Sequence, residues 1–190
     1  MYRNDQFFSF CSVVKAAFVT VSLLVAGGVS AASFFEVGVG AHSYDLEISP
    51  RNAPIVWVDD SQALNLSIAA YRKSSEKTAW GAAIEISSPQ GRDEELPGSG
   101  RILSFRPVNF QLLVSQHFTA EFYAGVAQYD WLKKANGYIF GTSLRYQFGE
   151  NSRMGLALDG KYYMELAYDS GQGDDFVNGF NPGVKFFYRF

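Results

Sequence analysis

The 190-residue sequence has one cysteine, two histidines and six prolines, and only 18% of its residues are charged. A single cysteine excludes a disulfide framework and any multi-cysteine zinc or iron–sulfur site. A net charge of −3 excludes a nucleic-acid ligand held through an overall basic field. No Gly-rich phosphate loop or cofactor signature is present, so the sequence implies no cofactor. Gly38 and Gly40 fall in a strand pattern, where glycine marks packing or bending. Asp59-Asp60 and Asp174-Asp175 fall in expected loops, with too few oxygen ligands to specify calcium. Low charge does not make the chain disordered. Hydrophobic residues supply 47% and aromatics 16%, which is enough apolar surface to bury. Eighteen glycines spread along the chain suit many short strands better than long helices.

The N-terminus reads as a processing signal. Arg3 and Lys15 precede the uncharged run Ala16–Ala26, which Gly27-Gly28 interrupts, and Ser30-Ala31-Ala32 places small residues at the cleavage positions. This is the layout of a secretory signal peptide over 1–32, with the mature domain spanning 33–190. The run is short against the ~20 residues of a membrane-spanning helix, and no later stretch approaches ~18 consecutive apolar residues. Cleavage after Ala32 removes Cys11.

The remaining sequence alternates with a period of two, as strands do. Phe35, Val37, Val39 and Ala41 oppose Glu36 and His42. Leu64, Leu66, Ile68 and Ala70 oppose Asn65, Ser67 and Lys73. Trp80, Ala82, Ile84 and Ile86 oppose Lys77, Glu85 and Ser87. Val108, Phe110, Leu112 and Val114 oppose Asn109, Gln111, Ser115 and His117. Phe122, Ala124 and Val126 oppose Glu121, Tyr123 and Tyr129. Tyr138, Phe140, Leu144, Tyr146 and Phe148 oppose Ser143, Arg145 and Gln147. Met154, Leu156, Leu158, Tyr162, Met164, Leu166 and Tyr168 oppose Arg153, Asp159, Lys161 and Glu165. Val184, Phe186, Tyr188 and Phe190 oppose Lys185, Phe187 and Arg189. These are eight strands. The parity slips at Arg106-Pro107, where a proline that cannot donate to a ladder predicts a bulge.

Connections at 74–76, 118–120 and 149–152 are short, whereas 48–62, 88–100, 132–137 and 169–179 are longer or richer in Gly, Pro and Asp. Short turns at one end, longer loops at the other and an even strand count predict an all-β, eight-stranded antiparallel up-and-down transmembrane β-barrel. A soluble barrel would carry its apolar residues inside. The export signal, the aromatics at strand ends and the terminal aromatic favour the membrane form, with charged residues facing the lumen. The outer membrane of a Gram-negative bacterium is the expected location, with its lipid as a partner.

Pro182-Gly183-Val184-Lys185-Phe186-Phe187-Tyr188-Arg189-Phe190 resembles the C-terminal signature of outer-membrane proteins. The matching positions are Gly183, Val184, Phe186, Tyr188 and Phe190. The resemblance implies recognition by the barrel-assembly machinery. The mature chain as a whole is similar to the small eight-stranded outer-membrane barrels of the OmpA/OmpX type.

The interior of an eight-stranded barrel is just wide enough for side chains to fill. The inward faces bring Glu36, Glu85, Glu121, Asp159 and Glu165 near Arg145, Lys161, Lys185 and Arg189. The expected result is an ion-paired plug, since buried charges are costly unless paired. A narrow ion path is the alternative. Lipid-modifying catalysis is a second alternative, but the residues serve it poorly. His42 lies near Asp45 without a nucleophile, and Ser115, His117 and Glu121 form only a loose group at the lumen mouth. The sequence therefore predicts no catalytic residues. Its expected role is structural or surface interaction through the outer loops, with an extracellular partner it does not name.

Overall fold

A computed structural model describes residues 33–49, 56–88, 101–130, 134–149, 152–165 and 176–190. The expected signal peptide, Asp174-Asp175 and the side chain of Glu165 lie outside what is described. Eight strands follow one another: β1 (Ser33–Ser49), β2 (Val56–Lys73), β3 (Thr78–Ser87), β4 (Arg101–Leu113), β5 (Phe118–Asp130), β6 (Lys134–Gln147), β7 (Met154–Glu165) and β8 (Phe176–Arg189). Each pairs antiparallel with the next, and β8 pairs with β1, giving a closed barrel with strand order β1 to β8. Closure leaves no free edge strand, since every strand has a paired neighbour on each side.

Alternation sets the two faces. Leu64, Leu66, Ile68, Trp80, Phe122, Leu144, Leu158 and Val184 point outward and are exposed, while Glu85, Glu121, Arg145, Asp159 and Lys161 point inward and are buried. The two clusters of buried hydrophobic residues are small. One groups Tyr44, Ile102, Tyr123, Ile139 and Tyr163 with two alanines; the other groups Ala69, Tyr71, Ala79 and Ala83, with Phe34 packed on it. The core of this barrel is therefore largely polar.

The bulge expected at Arg106-Pro107 is present. The β4–β5 register jumps between Phe105 and Val108. The β3–β4 register shifts nearby, between Gly81 and Ala83. Ala82 and Ala83 are both buried there, which removes Ala82 from the outward row to which alternation assigns it. Gly125 makes the bulge possible, because a Cβ at that position would collide with the Phe105 carbonyl and stand 2.7 Å from Arg106 Cα.

Several expected boundaries move. The second short turn lies at 114–117 instead of 118–120, and β5 begins at Phe118. Val114 and Ser115 donate their backbone N–H to the Phe118 carbonyl, and Ser115 Oγ accepts from Phe118 N. Val114, Ser115 and His117 thus belong to the turn. Arg153 likewise sits in a turn and is exposed, its carbonyl accepting from Arg189 N (2.7 Å). At the other end β1 and β2 extend past the expected loop start. Leu46, Glu47 and Ile48 pair with Val58, Trp57 and Val56 after a register shift between Tyr44 and Leu46. Asp59-Asp60 therefore lie in the β2 strand at that irregularity, not in a loop.

Candidate functional site

The lumen holds the one large constellation of ionisable groups among the described residues, in two layers. The layer nearer the chain termini is built on Glu36 of β1 and Glu121 of β5. Arg145 of β6 reaches both carboxylates, and Arg189 Nε donates to Glu36 Oε2 (3.1 Å). Tyr71 OH donates to Glu121 Oε1, and Asn109 Nδ2 reaches the same oxygen at 3.3 Å. The Arg145 guanidinium lies 4.2 Å from the centre of the Phe187 ring. Phe187 is aromatic yet inward-facing, and it is stacked by the cation it accompanies.

The second layer is built on Glu85 of β3 and Asp159 of β7. Lys161 Nζ contacts Glu85 Oε1, while Arg106 Nη2 and Lys185 Nζ stand 3.7 Å and 3.8 Å from Glu85 Oε2. Asp159 Oδ2 accepts from His42 Nε2 (2.8 Å), and Asp159 Oδ1 accepts from Tyr123 OH (3.0 Å). Asn65 Nδ2 donates to His42 Nδ1, which leaves the ring proton on Nε2 for Asp159. Gly183 lets this happen. His42 on β1 reaches Asp159 on β7 across β8, and any Cβ at Gly183 would occupy the His42 ring.

Every residue of the expected ion-pair set whose side chain is described thus lies in one of these two layers. Two members come from outside that set. Arg106 is 2% exposed and sits over the Tyr123 ring at 4.3 Å. It escapes an alternation count because it occupies the bulge where parity slips. His42 pairs with Asp159 and not, as expected, near Asp45, whose backbone N–H goes to Asn181 Oδ1 (3.2 Å). Arg106 thus adds a fifth base to the four that alternation assigns to the lumen.

The loose Ser115–His117–Glu121 group does not assemble. Ser115 Oγ caps its own turn, the His117 ring lies beside Tyr146 at 6.0 Å, and Glu121 is committed to Arg145 and Tyr71. No group of three or more metal-ligating side chains occurs among the described residues.

No protein-family model matches the chain, and no curated protein matches it. Solved structures do. The N-terminal β-barrel domain of OprF from Pseudomonas aeruginosa is 11% identical, with a TM-score of 0.56 over 85% of this chain and 100% of that one. Ail, the attachment invasion locus protein of Yersinia pestis, is 10% identical, with a TM-score of 0.53 over 83% of this chain and 99% of that one. Neisserial surface protein A is 12% identical, with a TM-score of 0.52 over 85% and 100% of the two chains. At such identities the likeness speaks to architecture, and the architecture is that of the small eight-stranded outer-membrane barrels.

Proposed function

We propose that this protein is a transmembrane barrel of the Gram-negative outer membrane, exported through a cleaved signal over 1–32 and closed to conduction. Its role is structural or surface interaction through the connections at 50–55, 89–100, 131–133 and 166–175, without catalysis. The observation that carries this reading is the inside-out distribution of polarity. Leu64, Ile68 and Leu158 are 72%, 64% and 62% exposed on the outer wall, while Glu85, Glu121 and Lys161 are at most 1% exposed within. Water does not tolerate an apolar surface of this extent. Hydrocarbon requires it, together with a closed ladder. The paired charges that occupy the bore argue against an ion path.

In this reading the short turns and Phe190 face the periplasm, and Gly183, Val184, Phe186, Tyr188 and Phe190 are read by the assembly machinery. The test joins membrane fractionation with heat-modifiable gel migration and planar-bilayer recording. The expected result is an outer-membrane barrel without conductance steps. Steady channel activity that changes on Glu85→Gln would overturn the closed-lumen part. Recovery as a detergent-free soluble protein would overturn the whole.

A further inference from the structure

The β1–β8 seam is incomplete. The ladder is continuous from Glu36–Arg189 to His42–Gly183, stops, and resumes in the same register at Glu47–Asn178. Phe190 N donates to the Phe35 carbonyl (2.9 Å), and hydrogen-bonded pairs recur every second residue along an antiparallel ladder. Carried one step into the gap, the same register sets Ser43 opposite Pro182 at a position of this class. Proline has no N–H, so Pro182 cannot donate to the Ser43 carbonyl. The next pair of this class, Asp45 and Phe180, is also diverted, because the Asp45 N–H goes to the Asn181 side chain. Asn181 Nδ2 in turn donates to the Gly179 carbonyl (3.2 Å).

A shallow, open groove of about 440 Å³ on the outer wall ends at Pro182 and Gly183 of β8, on the side of this gap. Its floor is a row of small residues on neighbouring strands: Thr142, Gly160 and Pro182, with Ala120 beside them. Leu144 and Leu158 form one wall. The Phe180 ring leans over Gly160 from the other side, 3.2 Å from where a Cβ would stand. The Thr142 hydroxyl is used on the Glu121 carbonyl (3.1 Å), so its methyl faces the groove.

Resting on the membrane reading above, we propose that this groove is a lipid-binding site. One hydrocarbon chain lies over Gly160 between Phe180 and the leucines, and a hydroxyl or amide N–H of the same lipid donates to the Ser43 carbonyl. A lipid is the occupant because the groove opens on the wall that faces hydrocarbon. A donor-bearing lipid is selected because an unpaired carbonyl there is costly. Pro182 creates the polar need, and the small-residue row creates the space.

The test is native mass spectrometry of the barrel released from nanodiscs of phosphatidylcholine, which has no hydroxyl or amide donor, doped with a ceramide, which has both. Wild type should retain one ceramide with about tenfold preference over phosphatidylcholine, the effect of one hydrogen bond. Pro182→Ala supplies the missing N–H and should hold a lipid while losing the preference. Gly160→Leu and Thr142→Leu fill the groove from different strands and should lose lipid retention, with heat-modifiable migration showing that they fold. A folded wild type without preference overturns the site alone, as does a Pro182→Ala variant that keeps it. A chain that does not enter nanodiscs overturns both this proposal and the membrane reading.

Discussion

Replacing Glu85 with glutamine keeps the side chain's shape but removes the single carboxylate on which three cations converge. Lys161 contacts it directly, and Arg106 and Lys185 stand within 3.7 Å and 3.8 Å. All four side chains are at most 4% exposed. The other acid of this layer compensates only one of the three cations. Asp159 already accepts from His42 and Tyr123, and it stands 3.7 Å from Lys161. Breaking one buried pair costs about 3–5 kcal/mol. With three cations on one acid, Glu85→Gln belongs at the upper end, near ~5 kcal/mol. Lys161→Met in the same background removes one stranded charge, so the double variant should lose less than the two single losses added together, by about 1–3 kcal/mol of coupling. Urea titration of the barrel in micelles, read by heat-modifiable migration and tryptophan fluorescence, measures both. A cost for Glu85→Gln below ~1 kcal/mol, the scale of an exposed pair, would refute the argument. So would a double variant whose loss equals the sum of the two single losses.

Further outcomes follow from the same geometry. Gly125→Ala should prevent the β4 bulge from closing on β5, leaving little heat-modifiable barrel, because the new methyl meets the Phe105 carbonyl. Val184→Arg places a charge on the outer wall at a cost of ~2–4 kcal/mol near the midplane. Lys185→Ala should insert better than Val184→Arg, since Lys161 and Arg106 still hold Glu85; a refolding comparison in vesicles separates the two. Phe190 deletion should lower the yield of assembled barrel in membrane fractions. Mass spectrometry of the extracted protein should place its first residue near Ser33, and an intact Met1 end on a folded barrel would count against the processing reading.

The barrel is legible in the sequence because each of its eight strands carries one apolar and one polar face. Val184, Phe186 and Tyr188 against Lys185 and Arg189 already state which side of β8 is which. Boundaries are less legible where local chemistry does not break the period. Val114 continues an apolar row, yet its N–H turns back to Phe118. Val56, Trp57 and Val58 lie beside Asp59-Asp60 and read as loop, but they pair with β1 once an irregularity absorbs the offset.

The lumen shows the same division. Glu36, Glu121 and Arg145 sit in clean alternation, so their inward direction follows from position alone. Their partners do not, because the distance between Arg145 and Glu36 is set by how β1 and β6 meet across a closed wall. Arg106 is the clearest case. Its neighbour Pro107 signals a bulge, and a bulge is where parity stops assigning faces, so this buried base of the lumen is the one that counting passes over. Gly183 is another. In sequence it belongs to the terminal signature, and in the folded barrel its missing side chain is the space through which His42 reaches Asp159. One position can thus serve both assembly and the interior network. A Gly183→Ala variant would therefore disturb the His42–Asp159 contact even where the terminal aromatics remain intact.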